Sequence, residues 1–151
     1  MSLCALLCET IMGMDLWVLF AAALVQQLFA MVWFGLIVKT IADYYLAADK
    51  GVRKVGHIVH RYSPAFCAFA TFVAGVVRAV AVYAVFTLCN GKGLCDYQQA
   101  GVVVAVLACI HQHQFFSCQR PLPLLFTDCG YELAAALLAS ISFFVMQKFN
   151  V

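Results

Sequence analysis

Four long apolar stretches dominate the chain, each about the ~20 residues a helix needs to cross a bilayer. The first, Leu16 to Val38, carries no charge, and Trp17 and Trp33 stand near its ends as amphipathic aromatics do at two membrane interfaces. The second runs from Pro64 to Leu88, with Pro64 at a helix start, where a missing N–H is harmless. Cys89-Asn90-Gly91-Lys92-Gly93 then reads as a turn. The third, about Tyr97 to Phe116, is apolar as far as Ile110 and ends in His111-Gln112-His113-Gln114. After a loop from Ser117 to Asp128 that contains Pro121 and Pro123, the fourth runs from about Cys129 to Met146 and carries Glu132 in its first turn. Between the first two stretches, Ile41, Tyr44, Tyr45 and Leu46 recur at helical spacing among charges. This pattern predicts a short interfacial helix continuing from span one. The expectation is an all-α integral membrane four-helix bundle with short loops, one domain over residues 1–151.

Composition agrees with that class. Hydrophobic residues make up 66% and charged residues 11%, against roughly 25% charged in a soluble domain. Lys39, Lys50, Arg53, Lys54 and Arg61 in the first loop, with Arg120 in the third, face only Lys92 and Lys148 on the other side. The positive-inside rule therefore puts both termini outside. Lys50, Arg53, Lys54 and Arg61 become candidates for phospholipid headgroup contact. A formal charge of +2 argues for no nucleic-acid partner. Residues Met1 to Met14 carry no Lys or Arg, which fits neither a secretory signal nor a transit peptide, so the first span itself is expected to act as the address.

The chemistry concentrates in a few polar residues inside the apolar runs. Arg78 is the one charge of span two, and a cation at that depth costs about 3 kcal/mol on insertion scales unless it faces protein or water. It stands ten positions before Leu88, and Gln26 and Gln27 stand ten and eleven after Leu16, so all three are expected at one level, roughly 15 Å from the outer face. Gln26 or Gln27 is the expected partner of Arg78. Glu132, counted from a helix start at Cys129, lies nearer the inner end and is expected to meet His111 or His113. Small residues form helical stripes that should face inward: Ala22, Gln26 and Ala30; Thr71, Gly75, Arg78 and Val82; Gly101, Ala105, Ala108 and Gln112; Glu132, Ala136 and Ser140.

His111 and His113 with Cys118 and Cys129 are a poor zinc set, because helix positions two apart point about 200° away from each other. No metal or cofactor is expected. Cys89 and Cys95 flank the outer turn at a spacing compatible with a small disulfide. No Ser/His/Asp set, P-loop, dinucleotide fingerprint or paired-carboxylate signature is present, so enzymatic activity is not expected.

The four-span layout, the Trp33-Phe34 pair closing the first span, and the last loop and span opening Arg120-Pro121-Leu122-Pro123-Leu124-Leu125-Phe126-Thr127-Asp128-Cys129-Gly130-Tyr131 resemble the Domain of Unknown Function 1761 family. That similarity covers roughly Met14 to Met146, with Ala30 and Phe34 standing where members typically show Gly and a Trp-Tyr pair. It implies a four-span fold and no catalytic residue. The leading functional expectation is a structural accessory subunit of a larger membrane complex. A mitochondrial respiratory-chain or ATP synthase assembly is the favoured setting, and other membrane subunits and phospholipids are the partners. The alternative is a small oligomeric transporter or channel with Arg78 and Gln26/Gln27 in a polar pathway.

Overall fold

The computed structural model describes residues 12–57, 62–112, 116 and 121–149. The regular elements among these residues are all helices, with no strand. Helix α1 spans Leu16–Val32 and runs into a π turn, Trp33–Ile37, closed by the Val38 amide donating to the Trp33 carbonyl at 2.9 Å. Helix α2 is Lys39–Asp49, α3 is Pro64–Leu88, α4 is Leu94–His111 and α5 is Leu122–Lys148. Three of the helical stretches, Leu16–Ile37, Pro64–Leu88 and Leu122–Lys148, are long and apolar enough to cross a membrane; α4 is apolar but shorter.

Local chemistry accounts for the helix ends. The Asp15 carboxylate accepts the Trp17 amide at 2.8 Å, and the Ser63 hydroxyl accepts the Phe66 amide at 3.2 Å, with Pro64 in the first position that needs no donor. After α3, Asn90 takes a left-handed backbone (φ 51°), the Gly91 amide donates to Phe86 and the Asn90 amide to Thr87, which satisfies two orphan carbonyls in a Schellman motif. Helix α2 ends the same way, with Gly51 (φ 66°) donating to Ala48 and Val52 to Ala47. The Asp96 carboxylate then reaches back to the amides of Lys92 and Gly93, at 2.7 and 3.0 Å, and closes the turn that launches α4.

Packing follows the membrane rule of small residues inside and large apolar residues outside. Ala22, Ala23, Ala79, Ala135, Ala136 and Ala139 are fully buried, while Leu16, Trp17, Phe20, Leu28 and Met31 of α1 are exposed. Helices α3 and α5 lie against each other, α1 packs across both, and α4 packs across both from the other side. Helices α4 and α5 approach closely at Gly101. A Cβ on Gly101 would collide with the Ser140 hydroxyl and sit 3.0 Å from the Ala136 carbonyl oxygen. Rings stack where α3, α4 and α5 meet near the Leu88 end: Phe86 on Tyr97, with centroids 3.5 Å apart, and Tyr97 on Phe143.

Two helices are bounded differently from the sequence reading. The third helix begins at Leu94 and its described part ends at His111, rather than running from Tyr97 to Phe116. More consequentially, α5 begins at Leu122 rather than Cys129. Pro123 falls in the first turn, where its absent N–H breaks no helical bond, and Pro121 stands just before it, so the two prolines open the helix instead of marking a loop.

Gly101→Val should force α4 away from α5 and lower stability by about 1–3 kcal/mol, read from unfolding in detergent micelles. Asp96 gives a second expectation: Asp96→Ala removes the acceptor of the Lys92 and Gly93 amides and should lower the thermal midpoint measured in micelles.

Candidate functional site

Three helices converge on Arg78. Its side chain leaves α3 between α1 and α5 and is 7% exposed. Nε donates to Glu132 Oε2 at 3.0 Å, and Nη2 donates to Oε1 at 2.8 Å and Oε2 at 2.7 Å, a forked guanidinium–carboxylate pair. The remaining arm, Nη1, donates to Gln26 Oε1 on α1 at 2.8 Å. The other end of that amide is used as well. Gln26 Nε2 donates to the Gly75 carbonyl, one turn before Arg78, at 3.1 Å, and to Ala22 at 3.2 Å. The Tyr131 ring lies under the guanidinium, 5.3 Å from Cζ to centroid, where the ring face attracts a cation.

Helical geometry explains why these three meet. Gln26 is ten positions after the start of α1, Arg78 ten before the end of α3, and Glu132 ten after the start of α5, so each sits roughly 15 Å from an end of its helix. Gln27, one position on, points about 100° away and does not join the group; its carbonyl oxygen is buried without a hydrogen-bond partner. Glu132, expected nearer the inner end, instead pairs with Arg78 through both oxygens; its expected contact with His111 or His113 involves side chains outside the described ones. The error follows from the helix start, since counting from Leu122 instead of Cys129 moves Glu132 from the inner end to mid-helix. His111 is the last residue of α4, and His113 lies outside the described residues.

The pair is not sealed. A cavity of about 360 Å³ opens beside it, lined by Phe34, Ala70, Thr71, Ala74, Arg78, Gln112, Asp128, Tyr131 and Glu132. Thr71, Asp128 and Gln112 lie toward the end at which α3 and α5 begin, so polar lining runs from that end to the ion pair. A more apolar cavity of about 460 Å³ flanks the pair on the α4 side, walled by Val77, Ala81, Val104 and Ala108. Sequence reasoning missed the Tyr131 and Asp128 contributions. Their signal was the i, i+4 spacing of Asp128 and Glu132 and the adjacency of Tyr131, legible only once the helix is started at Leu122.

At the same end of the bundle, Trp33 Nε1 donates to the Thr127 carbonyl at 3.2 Å, Phe29 stacks on Tyr131 with centroids 6.0 Å apart, and Phe34 leans on Tyr131 at 5.0 Å. The aromatic pair of the first span therefore positions the helix that carries Glu132. Cys89 and Cys95 are free, exposed thiols, which corrects the candidate disulfide. The turn between them is already closed by the Asp96 and Schellman hydrogen bonds. Lys50, Arg53 and Lys54 are exposed beyond α2, and Arg61 lies outside the described residues.

No family model, curated protein or solved structure matches the chain. What the site can do is therefore argued from its geometry.

A guanidinium keeps its charge at any attainable pH, whereas a carboxyl stranded in apolar surroundings can neutralise itself by taking a proton. Glu132→Leu should accordingly destabilise the bundle by about 3–5 kcal/mol and Arg78→Leu by clearly less, with the double variant recovering most of the loss. Chemical unfolding of the three variants in micelles checks the order.

Proposed function

We propose that this chain is a four-pass integral membrane protein with both termini on the outer side, serving as a structural accessory subunit of a larger membrane complex. The carrying observation is that the mid-helix cation is matched within the chain. Arg78 is matched by Glu132 and Gln26, and Gln26 in turn by Gly75. A bundle locked in this way offers other molecules large apolar side chains, as on the outer face of α1. Helix α4 completes the fourth pass; from Leu94 to His111 it rises ~27 Å, close to the ~30 Å hydrocarbon core.

The proposed setting is a respiratory-chain or ATP synthase assembly of the mitochondrial inner membrane, with the bacterial inner membrane as the other location. Other membrane subunits cover part of the apolar surface. Phospholipid headgroups meet Lys50, Arg53, Lys54 and Arg61, and nucleic acid has no part. The resemblance to the Domain of Unknown Function 1761 family belongs to the same proposal and adds no activity to it.

The second reading is a small oligomeric transporter or channel. The cavity that brings Thr71, Gln112 and Asp128 into line with the Arg78–Glu132 pair supports it, since ionisable groups inside a membrane mark pathways when they connect to water. Arg78, Gln26 and Glu132 would then form the constriction.

Native gel electrophoresis of mildly solubilised membranes is expected to show the chain migrating within a large complex; migration only as a small free species would refute the subunit reading. In proteoliposomes, Arg78→Leu separates the two proposals. Loss of assembly without any flux belongs to the structural role, and loss of ion flux with assembly intact belongs to transport.

A further inference from the structure

One turn before Glu132 on α5, two cysteines face each other across the α4–α5 seam. The Cys109 thiol donates to the Cys129 carbonyl at 3.8 Å, which brings the two residues together across the seam. Both are half-buried and free. They line a cavity of about 530 Å³ whose other walls include Val106, Ile110, Phe126 and Leu133. Those four side chains are exposed, so the cavity is a groove on the outer surface of the helix pair. Cys129 stands seven positions into α5, ~10 Å from its start along the axis. In the four-pass arrangement the groove is therefore filled by acyl chains.

We propose that Cys109 and Cys129 are an oxidisable dithiol that lipid hydroperoxides close into a disulfide joining α4 to α5. Three properties of the groove select that oxidant class. Its walls are apolar, so charged oxidants such as glutathione disulfide do not enter. It opens sideways, where an acyl chain lies. Its apolar lining concentrates a hydroperoxide carried on an acyl chain beside the two thiols, whereas hydrogen peroxide stays in the water.

The step balances. One thiol sulfur attacks the peroxide O–O bond, which breaks; a sulfenic acid forms, and the thiol proton goes to the departing alkoxide to give the lipid alcohol. The second sulfur then attacks the sulfenic sulfur, an S–S bond forms, and hydroxide leaves with the second thiol proton as water. Two thiols lose two electrons and the hydroperoxide gains them. The product staples α4 to α5 at the opposite end of their seam from the Gly101–Ser140 contact. The proposal does not depend on the role of Arg78.

The test uses the full chain in phosphatidylcholine vesicles, both native and with the six other cysteines replaced by serine. Vesicles carrying a fatty-acid hydroperoxide are compared with vesicles exposed to equal hydrogen peroxide in the buffer. The expected result is a non-reducing peptide map with a Cys109–Cys129 cross-linked peptide, about 2 Da lighter than its two halves together, reversible by dithiothreitol and formed faster from the lipid hydroperoxide. Cys129→Ser should stop at a sulfenic acid on Cys109 that dimedone traps. The proposal is overturned if both thiols stay alkylatable after hydroperoxide treatment, and equally if buffer peroxide closes the bridge as fast. The native chain supplies the same readout if the serine-substituted chain does not fold.

Discussion

A single cation in an apolar helix sets the terms for the rest of this bundle. Arg78 cannot shed its charge, and from the middle of α3 it has to be met by groups on the neighbouring helices. Glu132 supplies the counter-charge from α5 in a forked geometry, and Gln26 supplies the remaining acceptor from α1. Because the Gln26 amide also donates to Gly75, α1 and α3 are joined by hydrogen bonds running in both directions at one level. These interactions fix axial register, which apolar packing between smooth helices specifies weakly.

The surrounding packing is arranged to permit that meeting. Fully buried alanines at Ala22, Ala23, Ala79, Ala135, Ala136 and Ala139 let the backbones approach closely enough for short polar side chains to span the gaps. Above and below the polar level, ring clusters resist sliding: Phe86, Tyr97 and Phe143 toward one end, and Phe29, Trp33, Phe34 and Tyr131 toward the other. Tyr131 belongs to both systems, since its ring stacks on Phe29 and also lies under Arg78. The ion pair is therefore held by aromatic contacts that do not themselves carry charge.

Much of this can be read from hydrophobic periodicity. Leu16, Pro64 and Leu88 mark helix ends because a cap, a first-turn proline and an Asn-Gly turn stand beside them, and the stripe Ala22, Gln26, Ala30 is buried as a stripe. Equal distances from helix ends put Gln26 and Arg78 at one level, where the structure joins them. The fourth helix was harder to read. Two prolines and Asp128 resemble a loop in sequence, yet Pro121 precedes the helix, Pro123 opens it, and Asp128 lies on its second turn facing the cavity. Seven misplaced residues shift Glu132 by ~10 Å along the axis, enough to separate it from Arg78. The thiol pair Cys109 and Cys129 was beyond periodicity altogether, because it depends on how α4 rotates against α5.

The most direct measurement is the hydrogen exchange of the Arg78 side-chain Nε–H, followed by NMR on arginine-labelled protein in lipid bicelles. A guanidinium clasped by Glu132 and Gln26 in the bundle interior predicts an Nε–H signal that persists in deuterated buffer and loses its protection in Glu132→Gln. Exchange at the rate of a solvent-exposed arginine in the native chain would contradict the ion pair at the centre of the bundle.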